Sequence, residues 1–312
     1  MPSESCIDEV DAPSHYEARI ASYARQGFYF AALLLSLASA VLYLWKRLKS
    51  NHISALFIHI LSFVQYAMCH FLNNALDLAQ MHFPCWLGYD LNATKIIFAE
   101  AVIFLTDSSE QFVYISGVFL ALDRVVLMLF PVDYSMRKIS QKLAFAWMFL
   151  YLLNLANIIF GILGVSLLTG VLVDYGTGLY YDLDYVYSIL SIAEIFFHGV
   201  FCYLYYHHSN QQRATAANPY SRKANLIALF QMFSLTIFAT IPKVVLFVDS
   251  HFSAVIMEET YKYQWSFFLT HVLLSSGFIL VMMTRRSDLG DGFKRTFFTR
   301  FRRKKITAEM NA

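Results

Sequence analysis

The stretch "VFLALDRVVLMLFPVDY", Val118 to Tyr134, decides how this chain is read. It is an oily run, yet Asp123 and Arg124 stand side by side near its middle. A charge at the centre of a bilayer costs about 2.5–3.5 kcal/mol on insertion scales. The same charges at the end of a membrane helix reach the interface on flexible stems at little cost. The pair therefore predicts a helix that leaves the membrane near Asp123. "VVLMLFP" then reads as a last turn or two and a loop, with Pro131, which has no backbone N–H, biasing the chain toward a turn.

Working outward, the composition supports a lipid environment. Of 312 residues, 58% are hydrophobic and 15% charged; soluble domains carry about 45–50% apolar and about 25% charged residues. Crossing ~30 Å of hydrocarbon takes ~20 apolar residues. Residues 26–45, 53–76, 143–168 and 263–284 contain no Asp, Glu, Lys or Arg. Three further windows carry isolated charges: 96–122 (Glu100, Asp107, Glu110), 185–206 (Glu194) and 224–248 (Lys243). The expected fold is an all-α membrane protein, a bundle of seven transmembrane helices over residues 26–284. Residues 1–25 form an N-terminal segment outside, and 285–312 a cytoplasmic tail. The first 25 residues are polar and acidic, without the basic start and short apolar core of a cleaved signal, so the first span is expected to direct its own insertion.

Basic residues set the orientation. With the N-terminus outside, 19 of the 24 Lys and Arg fall on inner segments; Arg19, Arg25, Lys95, Lys243 and Lys262 remain outside or at outer helix ends. The glycosylation tripeptide "NAT" at Asn92 falls in an outer loop of this topology, a weak but independent agreement. Cys6 and Cys85 also lie outside, where a bridge can persist, although sequence does not test its geometry. Cys69 and Cys202 lie within spans and read as packing residues.

The tail "GFKRTFFTRFRRKK", from Gly292, places Phe293, Phe297 and Phe301 every four residues with Lys and Arg between them. This is the pattern of a short amphipathic helix on the inner leaflet, with its cations among anionic headgroups. Its place beside a membrane exit points to membrane lipids as the partner, and not to nucleic acid.

Ionisable groups inside spans are functional candidates. At about 100° per residue, Glu110 lies roughly 40° from Arg124 around the third helix and ~21 Å above it. Lys243 follows Pro242 in the outer part of the sixth span, Glu194 lies in the fifth and His271 in the seventh. With Asp107, these five are the candidates for an outer-half ligand cavity, in which the third-span acids and Lys243 are expected to pair. His59, His70 and His198 read as hydrogen-bonded helix residues. No metal-ligand spacing, cofactor motif or nucleophile–base constellation stands out, so an enzyme is not expected.

Asp123 and Arg124 at the inner end of the third of seven spans, with Pro131 eight residues after the Asp and Tyr134 three later, resemble the rhodopsin-like G-protein-coupled receptors. The wording "ALDRVVLMLFPVDY", with short loops and aromatic-rich spans, is most similar to the nematode serpentine chemosensory receptors. Trp147 in the fourth span and Pro242 in the sixth match the family more weakly. The resemblance implies a small-molecule ligand entering from outside, a heterotrimeric G protein docking inside, Asp123 restraining Arg124 at rest, and a helix bend at Pro242. It also implies the plasma membrane and, for chemosensory members, the sensory cilium. Departures are plain: Val125 follows the Arg, Arg222 stands where relatives carry an acidic partner for it, and the seventh span "LLSSGFILVMM" lacks the Asn-Pro signature. A second reading is a transporter that uses buried carboxylates for proton coupling, although the repeated halves common in carriers are missing.

Overall fold

A computed structural model describes residues 13–47, 54–82, 93–130, 133, 136–167, 189, 192–207, 219–242 and 256–284. Cys6, Cys85, Asn92, Pro131, Tyr134, Lys243 and the tail from residue 285 lie outside the described residues. Seven helices of more than one turn occur among the described residues: α1 Pro13–Arg47, α2 Ala55–His82, α3 Ala93–Leu129, α4 Ile139–Leu167, α5 over 192–207, α6 beginning as Pro219–Leu235, and α7 Ile256–Thr284. No strand occurs among those residues.

Lipid demands that each segment satisfy its own backbone hydrogen bonds, which a helix does. Four of these helices contain stretches long and apolar enough to cross a membrane: Arg19–Trp45, Ala55–Ala79, Ala101–Leu129 and Trp265–Thr284. Ile139–Leu153 and Asn225–Thr240 are shorter apolar helical stretches. The chain is a helical, multi-pass membrane protein. α1 begins at Pro13, about three turns before its apolar window opens at residue 26, and proline is well suited to a first helical turn. α3 has 37 residues, or ~55 Å, and so continues past Asp123 to Leu129. α6 changes hydrogen-bond register before its proline: Thr236–Thr240 is a π-helical turn, and Ile241 N–H donates to the Thr236 carbonyl five residues back. Pro242 follows at once and has no N–H to give.

The helices close into a ring. α1 lies between α2 and α7, α7 also packs on α6, and α3 touches α2, α4 and α6. Phe201 of α5 packs with Val125 of α3 and Ala228 of α6, and the Cys202 thiol meets the Met232 sulfur at 3.2 Å. Trp147 of α4 is buried with Ile58 of α2 and Ile115 of α3, stacked on Tyr151 with centroids 5.1 Å apart. Small residues bring α1 against α7, where Ser39 Oγ donates to the Ser276 carbonyl at 3.1 Å.

The radial polarity is inverted relative to a soluble protein. Leu34, Val41, Phe149, Leu152, Phe196 and Val281 face outward, whereas Ser62, Asn74, Ser109, Ser116, His271 and Ser275 are buried. Hydrocarbon solvates the first set at no cost, and the second set finds hydrogen bonds only inside.

Candidate functional site

The C-terminal end of α3 holds the charged pair. Arg124 Nη2 lies 3.3 Å from Asp123 Oδ2, and the residues are 8% and 0% exposed. The pair is therefore enclosed by protein and is not a snorkelling surface pair. The next residue, Val125, is where α3, α5 and α6 meet. A second, exposed pair follows: Arg137 Nε to Asp133 Oδ1 at 3.2 Å, one turn apart.

Halfway along the bundle lies a polar layer. Ser116 of α3 meets His59 Nδ1 at 2.8 Å and Ser62 Oγ at 2.7 Å, both from α2. On the far side, His271 Nδ1 of α7 meets Ser234 Oγ of α6 at 3.0 Å. The Phe63 ring stands between the two histidines, with centroids 4.5 Å from His59 and 5.8 Å from His271. Glu194 of α5 enters the same layer, 3.6 Å from His198 Nε2 one turn along its helix. Its carboxyl lies against Gly117 of α3, where an added Cβ would run into Oε1 and Cδ and come within 2.9 Å of Oε2. Gly117 is thus small so that a carboxyl can fit. Seven residues separate Gly117 from Glu110, so Glu194 sits ~10 Å deeper than Glu110 and not beside it. His271 shares this middle layer.

Toward the opposite end from Arg124 is an acid among aromatic rings. His70 Nε2 of α2 lies 4.0 Å from Glu110 Oε1 of α3. The His70 ring stacks on Tyr29 of α1 at 5.1 Å and leans on Tyr66 at 4.2 Å. Phe268 of α7 joins Tyr66 to Tyr114, at 5.0 and 5.3 Å. One turn beyond Tyr29, the Arg25 guanidinium carbon lies 4.4 Å from the centre of the Trp265 ring. Glu110 and Tyr114 are one turn apart and share a face of α3. Since Tyr114 reaches across to Phe268, Glu110 also faces the interior, yet its side chain is 28% exposed.

Of the expected cavity residues, the structure puts Glu110 in the aromatic cluster and Glu194 and His271 in the middle layer. Asp107 is on α3, with its side chain outside the described residues, as is Lys243. Sequence reasoning overlooked Arg25, Tyr29, Tyr66 and Trp265, and treated His70 as a helix residue only. A signal was present: Arg25 with Tyr29, Tyr66 with His70, and Glu110 with Tyr114 each sit four apart, one turn on a helix. No group of three or more His, Cys, Asp or Glu able to hold a metal ion occurs among the described residues.

No family model matches the sequence, and no curated protein matches it.

Proposed function

We propose that this chain is a seven-helix receptor of the rhodopsin-like kind, chemosensory in role, that couples a small molecule outside to a heterotrimeric G protein inside. Its N-terminus is outside the plasma membrane and its C-terminus inside; by the same resemblance it works in a sensory cilium. The observation that carries this reading is the enclosed Asp123–Arg124 pair, one residue from the junction of α3, α5 and α6. A movement of α6 that opens this junction exposes the guanidinium to a cytoplasmic partner. The ligand enters through the aromatic cluster, which this orientation puts in the outer half, and shifts the population toward the open arrangement. The π-helical turn before Pro242 is a natural place for α6 to bend.

The test is expression in reporter cells with a panel of small molecules, read out through several G-protein classes. Arg124→Ala is expected to abolish the response while surface expression persists; an undiminished response refutes the switch. Tags on both termini, probed in intact cells, give a cheaper check. Finding both ends on the same side refutes the seven-span arrangement.

One observation favours a second reading. His59, His198, His271 and Glu194 are all buried near mid-bundle, and buried ionisable groups of this kind can relay protons in carriers. Proton-driven solute flux into vesicles holding only this protein selects that reading.

A further inference from the structure

The lipid-facing side of α4 runs directly into cations. Phe145 and Phe149 are 71% and 63% exposed. Lys142 stands three residues before Phe145, and Lys138 four before Lys142, so the four positions follow the spacing of one helix face. Lys142 is in the first turn of α4. Lys138 directly precedes the helix, and its carbonyl accepts the Gln141 and Lys142 N–H groups at 3.0 and 3.3 Å. Its φ of 50° is the one positive value at a non-glycine residue among the described residues, a turn unfavourable for a residue with a Cβ. Both lysines are exposed. At ~1.5 Å per residue they lie ~4.5 and ~10 Å along the helix from Phe145, and their four-carbon stems span much of that gap.

No acid nearby meets these charges. The one acid in residues 129–142 is Asp133, which pairs with Arg137 at 3.2 Å. Neither lysine has an ion-pair partner among the described residues. The start of α2 adjoins this turn, where Ala55 N–H donates to Ser140 Oγ at 3.3 Å. Residues 48–53 before it, and 131, 132, 134 and 135 beside it, include no Asp or Glu. The flanking side chains Phe130 and Met136 are apolar and exposed.

We propose that this face of α4 binds an anionic phospholipid, with its phosphate on Lys138 and Lys142 and an acyl chain along Phe145 and Phe149. The charge is complementary, and the cations continue the stripe that hydrocarbon already covers, so one lipid molecule satisfies both parts. That the leaflet is the cytoplasmic one rests on the receptor reading. The binding does not, so tags that refute the orientation leave it standing.

The experiment uses the purified full-length chain in phosphatidylcholine nanodiscs with increasing phosphatidylglycerol. Hydrogen exchange of residues 129–142 is followed by mass spectrometry, which separates this turn from the basic tail. Phosphatidylglycerol is expected to slow exchange there in a saturable manner, while glycerol phosphate, the headgroup without chains, is inert. Lys138→Gln and Lys142→Gln each weaken the apparent affinity about fivefold, from about 1 kcal/mol per cation near an anionic surface. Arginine at either position restores it because the charge is kept. Lys304→Gln with Lys305→Gln, an equal loss of charge in the tail, leaves the response of 129–142 unchanged. Equal exchange in neutral and anionic discs overturns the proposal, as does a response that the lysine variants retain in full. Protection by glycerol phosphate alone overturns it in favour of a soluble phosphate. Lysine variants that keep the lipid response but lose the G-protein response in cells overturn it in favour of a protein-docking surface.

Discussion

Gly117 offers the sharpest test of how α3 and α5 meet. A Cβ at this position falls 2.9 Å from Glu194 Oε2 and closer still to Oε1 and Cδ. Ordinary carbon contacts lie at about 3.5–4.0 Å, so the carboxyl must withdraw by at least about 1.5 Å to clear its nearest oxygen. Glu194 is 2% exposed and has little room to do so. Overpacking of this kind costs about 1–3 kcal/mol. Alanine also gains about 1 kcal/mol over glycine inside a helix. Gly117→Ala alone is therefore expected to be destabilising by about 0–2 kcal/mol. In a Glu194→Ala background the obstacle is gone and only the propensity gain remains. There the same substitution is expected to stabilise by about 1 kcal/mol. The coupling between the two sites is then about 1–3 kcal/mol, well above the ~0.5 kcal/mol scatter of independent sites. Glu194→Gln is the control, since an amide of equal size keeps the clash and with it the penalty. Equilibrium unfolding of the purified protein in mixed micelles with increasing SDS measures all four corners of the cycle. If Gly117→Ala has the same effect, within ~0.5 kcal/mol, whether position 194 carries its glutamate or an alanine, the contact and the depth assigned to the carboxyl are refuted.

Other consequences are open to measurement. Asp123→Asn removes the charge facing Arg124 at 3.3 Å and is expected to raise basal signalling up to about tenfold, the equivalent of ~1.4 kcal/mol in the resting equilibrium; unchanged basal activity at equal surface expression counts against the restraint. Ser116→Ala removes the 2.8 and 2.7 Å contacts to His59 and Ser62 and should cost about 1–3 kcal/mol, because interhelical bonds in membranes average ~0.6 and reach ~1.7 kcal/mol each. A loss below ~0.3 kcal/mol in the same SDS titration contradicts that network. Phe149→Leu on the outward face of α4 should leave stability within about 0.5 kcal/mol, since lipid solvates either side chain equally; a larger loss means that this face packs against protein.

Much of the fold was legible because the membrane simplifies the question. The apolar windows at 26–45, 53–76 and 263–284 coincide with parts of α1, α2 and α7, and Asp123 does fall in the last two turns of a long helix. Helix ends were read less well. α1 reaches back to Pro13 and α3 on to Leu129, since helical hydrogen bonding does not stop where lipid stops. The pairing of side chains was not legible. The third-span acids were expected to pair with Lys243, which lies outside the described residues, and the side chain beside Glu110 is His70.

What the sequence determined by itself is the solvent of each segment and hence the helical, membrane-crossing architecture. Transfer into hydrocarbon depends on the composition and length of one stretch, both of which are written locally. Tertiary structure alone decided that Arg25 rests on Trp265, that Glu194 lies against Gly117 and that His59 meets Ser116. Those contacts depend on how far each helix is turned and slid against its neighbours. A shift of one residue turns a side chain by about 100°, and that choice is settled by the packing of all the helices together.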